Sequence, residues 1–537
     1  MPLKLSKRVK LKLRRFFKTV NFTVFWISMC VIIAFVVFGT VFPDTAQSVF
    51  EAIHGFITEY FGWYYLLAVT FFLIFALWLM FSRYGSIRLG AAHEKPEFSF
   101  LAWFSMLFSA GMGIGLVFWS IAEPIMYFQN PPMGEGGTPE AAETAMLFTF
   151  FHWGLHAWAI YVVVALTLAY FSFRFHMPFT IRSIFYPIFG DRIYGPIGHT
   201  IDILAIFATL FGLATSLGLG VMQLNTGLNI LTGMEVSVGN QIILIAAITF
   251  IAVLSVVSGL HRGLKWFSIF NLSVAVILLL FIFFVGEPLF NLRFLVDTTG
   301  SYLQNIIQLS FWNDAVGDSE FQKGWTIFYW AWWIAWSPFV GIFIARVSRG
   351  RTIREFVAGA LLLPSLFVFI WLTIFGGTAL HLELAGAGIA DAVAEDTTVA
   401  LYTTLEQLPW PIITSIVASV LIVTYFITSS DSATYVVDAL ITRGSKRSPT
   451  RQRVIWGITE GAIAAVLLYT GGEQALQSLQ TGSITTGLPF SIILLCICYN
   501  LFRALRREFD VHGVDPEPQG SGTTEEANPA RETGENA

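Results

Sequence analysis

The segment Tyr329–Trp336 reads YWAWWIAW and places four tryptophans among eight residues of a long apolar run. Positions 329, 332, 333 and 336 follow the i, i+3, i+4, i+7 spacing of a helix, so their rings are expected on one face. Tryptophan in membrane proteins usually lies at the interface with water. Trp333, however, is separated from Lys323 by roughly 15 Å of helix and from Arg346 by roughly 20 Å. The pattern therefore predicts an aromatic cluster inside the membrane.

The whole chain shares this apolar character. Of its 537 residues 55% are hydrophobic and 12% are charged, and the mean hydropathy is +0.68. This composition excludes a soluble globular protein and predicts an all-α integral membrane protein, because a spanning helix needs roughly 20 apolar residues. About twelve spans are expected, near residues 21–41, 62–82, 101–121, 145–172, 197–221, 239–259, 264–286, 324–346, 354–378, 411–438, 452–470 and 482–504.

Lysine and arginine are distributed unevenly between the predicted loops. Residues 1–20 form a basic arm, and every second loop after it is also basic. The alternate loops carry only Arg293 and Lys323 as basic residues. Because cytoplasmic loops hold the positive excess, both termini are expected in the cytoplasm and the protein in the plasma (inner) membrane. A transmembrane domain is expected at 21–505, followed by a short acidic disordered tail at 506–537.

A polar stretch separates the seventh and eighth predicted spans. Phe290–Ser310 mixes apolar residues with Arg293 and Asp297 and is too polar to cross the membrane. We expect it to form an amphipathic helix in the outer interface.

Glycines cluster inside the third predicted span, where Ser109–Gly115 reads SAGMGIG. One interpretation is close helix packing through small residues. The other is a broken helix, whose freed amides and positive dipole end bind an anion at the midplane. Thr215–Gly220, TSLGLG, repeats the composition in the fifth span.

Hydroxyl groups cluster in the tenth predicted span, where Thr424–Thr434 reads TYFITSSDSAT. Polar side chains in a span are costly unless they face protein or water. Oxygen ligands without thiolate or imidazole suit a hard cation. The alternative is hydrogen bonding of each hydroxyl back to its own helix.

A second aromatic set lies in the fourth predicted span, where His152–Tyr161 reads HWGLHAWAIY and contains Trp153, Trp158 and Tyr161. Rings from two helices could build a cage for a quaternary ammonium group, which has no N–H to donate and is held by ring faces. Each face contributes about 0.5–2 kcal/mol when desolvated.

The sequence contains none of the common motifs for nucleotide or metal binding. It has no Walker motif, no dinucleotide fingerprint and no His/Cys cluster with metal spacing. ATP-driven pumping, zinc chemistry, enzymatic activity and nucleic-acid binding are therefore not expected, and no cofactor is predicted.

Three segments together resemble the betaine/carnitine/choline transporter family: GWTIFYWAWWIAWSPFVGIFIARVSRGRTIREF at Gly324–Phe356, SAGMGIGLVFWSIAEP from Ser109, and ATLFGLATSLGLG ending at Gly220. The resemblance covers about residues 15 to 505. It implies a leucine-transporter-like architecture of two inverted five-helix repeats behind two N-terminal helices, and a homotrimer.

The resemblance also assigns roles to individual residues. The substrate-binding residues would be Trp153, Trp158, Tyr161, Trp332, Trp333 and Trp336, with Met112, Gly113, Ile114 and Gly115 at the carboxylate. The gates would be Phe118 on the outer side and Phe343 on the inner side. The sodium ligands would be Ser109, Met112, Tyr425, Thr428 and Ser429. A second family sodium site would use Thr209 and Phe339, but Leu213 replaces one threonine of the family's pair.

The function implied by the resemblance is sodium-coupled uptake of glycine betaine, or of a similar onium zwitterion, as an osmoprotectant. Choline-type members place an aspartate where Gly115 stands, and sodium-independent carnitine exchangers use a basic residue in the fifth span. Choline, ectoine and dimethylsulfoniopropionate carriers and a sodium-independent exchanger remain the alternatives.

Overall fold

The computed structural model describes residues 20–111, 113–258, 261–317, 320–442, 444 and 449–512. These residues form helices and connecting segments and no strand, which confirms the predicted all-α class. The helices are α1 (Phe22–Val41), α2 (Pro43–Phe81), α3 (Phe100–Gly111), α4 (Ile114–Gln129), α5 (Pro139–Trp153), α6 (Leu155–Arg174), α7 (Tyr186–Phe189), α8 (Pro196–Thr232), α9 (Val238–Ser258), α10 (His261–Val285), α11 (Pro288–Phe311), α12 (Ile327–Val347), α13 (Ile353–Leu372), α14 (Thr378–Leu384), α15 (Ile389–Glu395), α16 (Ala400–Glu406), α17 (Pro411–Ile441), α18 (Thr450–Gly471) and α19 (Ala475–His512).

The number of membrane crossings depends on how interrupted helices are counted. Within the described ranges, nine helical stretches are long and apolar enough to cross a membrane, or ten if the bent pair α10–α11 counts as one. Helices α3 and α4 have 12 and 16 residues and are individually too short to be included. The stretch from Thr450 to Glu508 has 59 residues and is counted once. As helix it is roughly 90 Å long, whereas the hydrocarbon core is roughly 30 Å thick, so this stretch is long enough for more than one crossing. The count of twelve stays a prediction.

Helix α11 corresponds to the predicted interfacial segment. It is bent by 106° from the preceding apolar helix. Its side chains Val296, Leu303 and Ile307 are exposed, whereas Thr298 and Tyr302 are buried against the protein. An apolar face turned outward and a polar face turned toward the bundle fit a helix that lies along the membrane.

The tryptophan-rich helix α12 lies in the centre of the bundle. It packs against α6, α8 and α19, and 94% of its most apolar window is buried inside the protein. Its rings therefore face other helices, and their depth in the membrane stays a prediction.

The last helix continues beyond the predicted domain boundary at residue 505 and ends at His512. The Glu508 carboxylate forms an ion pair with Arg174 and accepts a hydrogen bond of 2.6 Å from the Tyr170 hydroxyl. These contacts fix the end of α19 against α6 and explain why the start of the predicted tail is helical. The basic arm at 1–19 and the tail from 513 lie outside the described residues.

Candidate functional site

The predicted break in the third span is present. Helix α3 ends at Gly111 and α4 begins at Ile114. Gly113 is fully extended, with φ −161° and ψ −167°, whereas Met112 lies outside the described residues. The first amides of a helix have no partner within it and carry the positive end of its dipole. The start of α4 can therefore bind a negative group deep in the bundle.

The glycines of this segment lie against two tryptophans of α12. A methyl group at Gly115 would be 2.3 Å from Cη2 of Trp332. One at Gly113 would be 3.7 Å from Cη2 of Trp336 and 3.9 Å from Oγ of Ser429. Close packing and helix breakage, which the sequence left as alternatives, occur together here.

Substitution of Gly115 by alanine tests this packing. The added methyl group must displace the Trp332 ring, and overpacking of this kind typically costs about 1–3 kcal/mol. We expect the half-saturating substrate concentration to rise by about fivefold, the effect of roughly 1 kcal/mol. Gly300→Ala is the matched control, because a methyl group at Gly300 would meet nothing within 4 Å. Equal substrate affinity in the two variants would contradict the packing role of Gly115.

Five of the six predicted cage rings form a continuous cluster. Trp153 meets Trp333 edge-on at a centroid distance of 4.8 Å, and Trp332 stacks on Trp333 at 4.8 Å. Tyr161 lies 6.3 Å from Trp333 and 5.6 Å from Trp158. All five side chains are buried. Rings from α5, α6 and α12 thus pack together in the interior of the bundle.

The sixth ring, Trp336, lies beside this cluster. Its ring contacts Phe339 edge-on at 5.4 Å. Its indole N–H donates to the Gly212 carbonyl at 2.7 Å, and the same carbonyl accepts the Trp332 indole N–H at 3.1 Å. Gly212 of α8 therefore fixes two rings next to the start of α4.

A second helix break positions the rings of the fourth span, and the sequence reasoning missed it. Helix α5 ends at Trp153 and α6 begins at Leu155, with Gly154 between them at φ −86° and ψ −138°. The freed Leu155 N–H donates to the Tyr302 hydroxyl of α11 at 3.2 Å. A methyl group at Gly154 would be 2.9 Å from the Phe369 ring. A single glycine in an apolar run gave only a weak signal of this break.

The buried carboxylate of Glu123 was also missed. It is completely inaccessible to solvent and accepts hydrogen bonds from the Trp153 indole at 2.7 Å and the Tyr329 hydroxyl at 2.5 Å. Nδ1 of His152 lies 3.0 Å from its other oxygen, and Nε2 lies 3.0 Å from the Thr326 hydroxyl. Glu123 thereby connects α4 to both ring-bearing segments and sets the orientation of Trp153.

The predicted gate residues lie on opposite sides of the cluster. Phe118 is buried and packs edge-on against Trp119 at 4.7 Å, which in turn contacts Trp325. Phe343 lines a cavity of about 380 Å³ together with Phe339 and Arg346. The rings next to Phe118 are thus in edge-on contact, whereas a cavity is present next to Phe343.

Two predicted sodium ligands lie on α17 near the break. The Thr428 hydroxyl donates to the carbonyls of Thr424 and Tyr425 and accepts from Nδ2 of Asn271 at 3.1 Å. Ser429 faces Gly113. Oδ1 of Asn271 is buried without a partner among the described residues. The Thr428 hydroxyl thus makes the bond back to its own helix that the sequence left as the alternative, although neutral oxygens of this kind are also ligands that a hard cation takes.

The remaining predicted ligands are less informative. Ser109 lies in the last turn of α3, next to Met112, which is outside the described residues. Thr209, of the predicted second site, is buried and donates to its own helix at Ala205. Phe339 lies next to Trp336 and lines the same cavity as Phe343.

Comparisons with known proteins match most of the chain. The sequence model of the betaine/carnitine/choline family of transporters (BCCT) matches residues 23–510. A probable glycine betaine transporter of Desulfitobacterium hafniense is 49% identical over 90% of this chain and 98% of its own. A glycine betaine transporter of Bacillus subtilis is 48% identical over 90% and 94%. A glycine betaine/proline/choline/ectoine transporter of Vibrio parahaemolyticus is 47% identical over 88% and 84%.

Proposed function

Because this chain belongs to the betaine/carnitine/choline family of transporters, we propose that it takes up glycine betaine, or a similar onium zwitterion, together with sodium by alternating access. The observation that carries this proposal is the juxtaposition of two recognition elements. The buried rings of Trp153, Tyr161 and Trp333 suit a methylated cation, and the start of α4 next to them suits a carboxylate. A ligand with both groups satisfies both elements.

Gly115 favours a zwitterion over choline as substrate. An aspartate at this position would attract a cation and repel a carboxylate, and its side chain would also meet the Trp332 ring. The printed name of the Vibrio relative includes choline and ectoine, and ring faces do not discriminate between onium groups. Choline and ectoine or dimethylsulfoniopropionate carriers are therefore the second candidates.

Sodium supplies the driving force in this proposal. A zwitterion without net charge gains nothing from the membrane potential, so its accumulation needs a coupled ion. One sodium ion moving through 100 mV releases about 2.3 kcal/mol, which supports a gradient of roughly fiftyfold. The neutral oxygens around Thr428 and Ser429 support coupling to this ion. Sodium-independent exchangers use a basic residue in the fifth span, whereas this chain has the neutral Leu213 there.

Alternating access is supported by the asymmetry between the two gates. The rings near Phe118 are packed, and the cavity lies on the side of Phe343 and Arg346. Movement that opens the Phe118 side and closes the Phe343 side would expose the cage to one face of the membrane at a time. We also propose twelve spans, cytoplasmic termini, insertion in the inner membrane and a homotrimer.

Uptake by purified protein in liposomes tests the proposal. Labelled glycine betaine, choline and ectoine are offered with and without an inward sodium gradient. We expect saturable uptake of betaine that needs sodium and is inhibited by the unlabelled compound. Preferential uptake of choline, or betaine uptake that ignores sodium, would favour the alternatives.

Replacement of Thr428 or Ser429 by alanine tests the sodium ligands. Each change removes one oxygen from the hard-cation site, so we expect about fivefold more sodium for half-maximal uptake, the effect of roughly 1 kcal/mol. Thr424→Ala is the control, because the Thr424 hydroxyl donates only to its own helix in the described structure. Sodium activation equal to that of the control would remove these residues from the site.

A further inference from the structure

Glu460 is a buried carboxyl group that belongs to neither the proposed substrate site nor the proposed sodium site. It lies in the middle of α18 and is completely inaccessible to solvent. Its two oxygens accept hydrogen bonds from the hydroxyls of Ser430 at 2.8 Å and Thr434 at 3.0 Å. No lysine or arginine of the described residues pairs with it. A fully buried acidic group inside a membrane protein is costly unless it is bonded, so Glu460 is a candidate for a functional role.

The hydroxyls that it binds belong to the same stretch of α17 as the proposed sodium ligands. Ser430 directly follows Thr428 and Ser429 in the sequence. Successive residues of a helix point in directions about 100° apart, so this stretch faces several helices at once. Thr428 accepts from Asn271 of α10, Ser429 faces Gly113, and Asp431 accepts from Ser255 of α9 at 2.7 Å.

Glycines on α18 bring the neighbouring helices close to Glu460. Gly457, one turn before it, lies against Thr434 of α17, where a methyl group would be 3.5 Å from the hydroxyl. Gly461, the next residue, lies against Thr249 of α9, where a methyl group would be only 2.4 Å from the hydroxyl. Helix α18 is therefore packed tightly against α17 and α9 at the level of Glu460.

We propose that Glu460 is a positioning residue of the sodium site. Its carboxyl group holds α17 through Ser430 and Thr434. The oxygens of Thr428 and Ser429 on the same helix then keep the spacing that the ion needs. This inference rests on the proposed sodium coupling. Two bonds, one turn apart, fix both the position and the rotation of α17. Residues that orient ligands without touching the ion affect its affinity, whereas the substrate cage lies on other helices and is unaffected.

The test measures sodium activation of betaine uptake in liposomes for three variants. Glu460→Leu removes both acceptors, Glu460→Gln keeps one carbonyl acceptor, and Thr459→Ala is the control, since the Thr459 hydroxyl donates to its own helix at Ile455. We expect Glu460→Leu to need about fivefold more sodium for half-maximal uptake, with Glu460→Gln between it and the wild type. The half-saturating betaine concentration at saturating sodium should stay unchanged in all three.

Each outcome has a defined meaning. If the wild type needs no sodium, the proposed function fails before any variant is compared. If the wild type needs sodium and Glu460→Leu has the same sodium dependence, the positioning role alone is overturned. If Glu460→Leu does not fold, the Ser430→Ala/Thr434→Ala double variant removes the donors instead. It must then show the same rise in sodium requirement, and an unchanged requirement would overturn the inference.

Discussion

Replacement of Trp333 by leucine is expected to raise the half-saturating concentration of glycine betaine by at least about tenfold, which corresponds to about 1.4 kcal/mol. Trp333 is the ring shared by the cluster, in contact with Trp153, Trp332 and Tyr161. Leucine fills part of the volume but has no ring face for a methylated cation. Concentration-dependent uptake in liposomes measures the effect.

Trp371→Leu is the matched control for this variant. Trp371 is equally buried, but its ring stacks on Phe375 at 4.4 Å, away from the cluster. We expect its removal to lower the amount of folded protein without a change in betaine affinity. Similar affinity losses in both variants would show that Trp333 acts through general packing.

Substitution of Glu123 by glutamine is expected to lower uptake efficiency by about tenfold or more. The carboxylate accepts from the Trp153 indole, the Tyr329 hydroxyl and His152. An amide has one acceptor oxygen and turns its NH₂ toward a donor, which leaves a buried polar group without a partner at a cost of about 1–3 kcal/mol. Trp153 then loses its fixed orientation in the cage.

Tyr127→Phe provides the comparison for Glu123→Gln. The Tyr127 hydroxyl lies 3.1 Å from Nδ1 of His152 and contacts no cage indole. We expect this variant to lose less than Glu123→Gln in uptake at low betaine concentration. An effect of Tyr127→Phe equal to that of Glu123→Gln would indicate that the polar network as a whole matters, and not the bond to Trp153.

Local patterns were sufficient for the parts of the site that lie within one segment. The SAGMGIG stretch indicated either a break or close packing before Ile114, because clustered glycines inside a span weaken a helix and permit close approach, and both occur there. The i, i+3, i+4, i+7 spacing of Tyr329, Trp332, Trp333 and Trp336 placed their rings on one face of α12. Trp336 nevertheless lies beside the ring cluster, where its ring contacts Phe339.

The contacts that join distant segments could not be read from local patterns. Glu123 is followed by a proline near the end of a span, and nothing in that stretch indicates that Trp153 and Tyr329 donate to it. The break at Gly154 depends on Tyr302 and Phe369, which belong to other helices. Glu460 and Ser430 are likewise paired only by the packing of α18 on α17.

Accumulation of glycine betaine in liposomes that contain the purified protein is the decisive measurement of sodium-driven uptake. An inward sodium gradient is applied and the ratio of internal to external betaine is measured, before and after an ionophore collapses the gradient. We expect a ratio well above one that falls to one when the sodium gradient is lost. The Trp333→Leu substitution should strongly reduce this ratio at low betaine concentration. A ratio that never exceeds one, or that persists without the sodium gradient, would contradict sodium-driven betaine uptake.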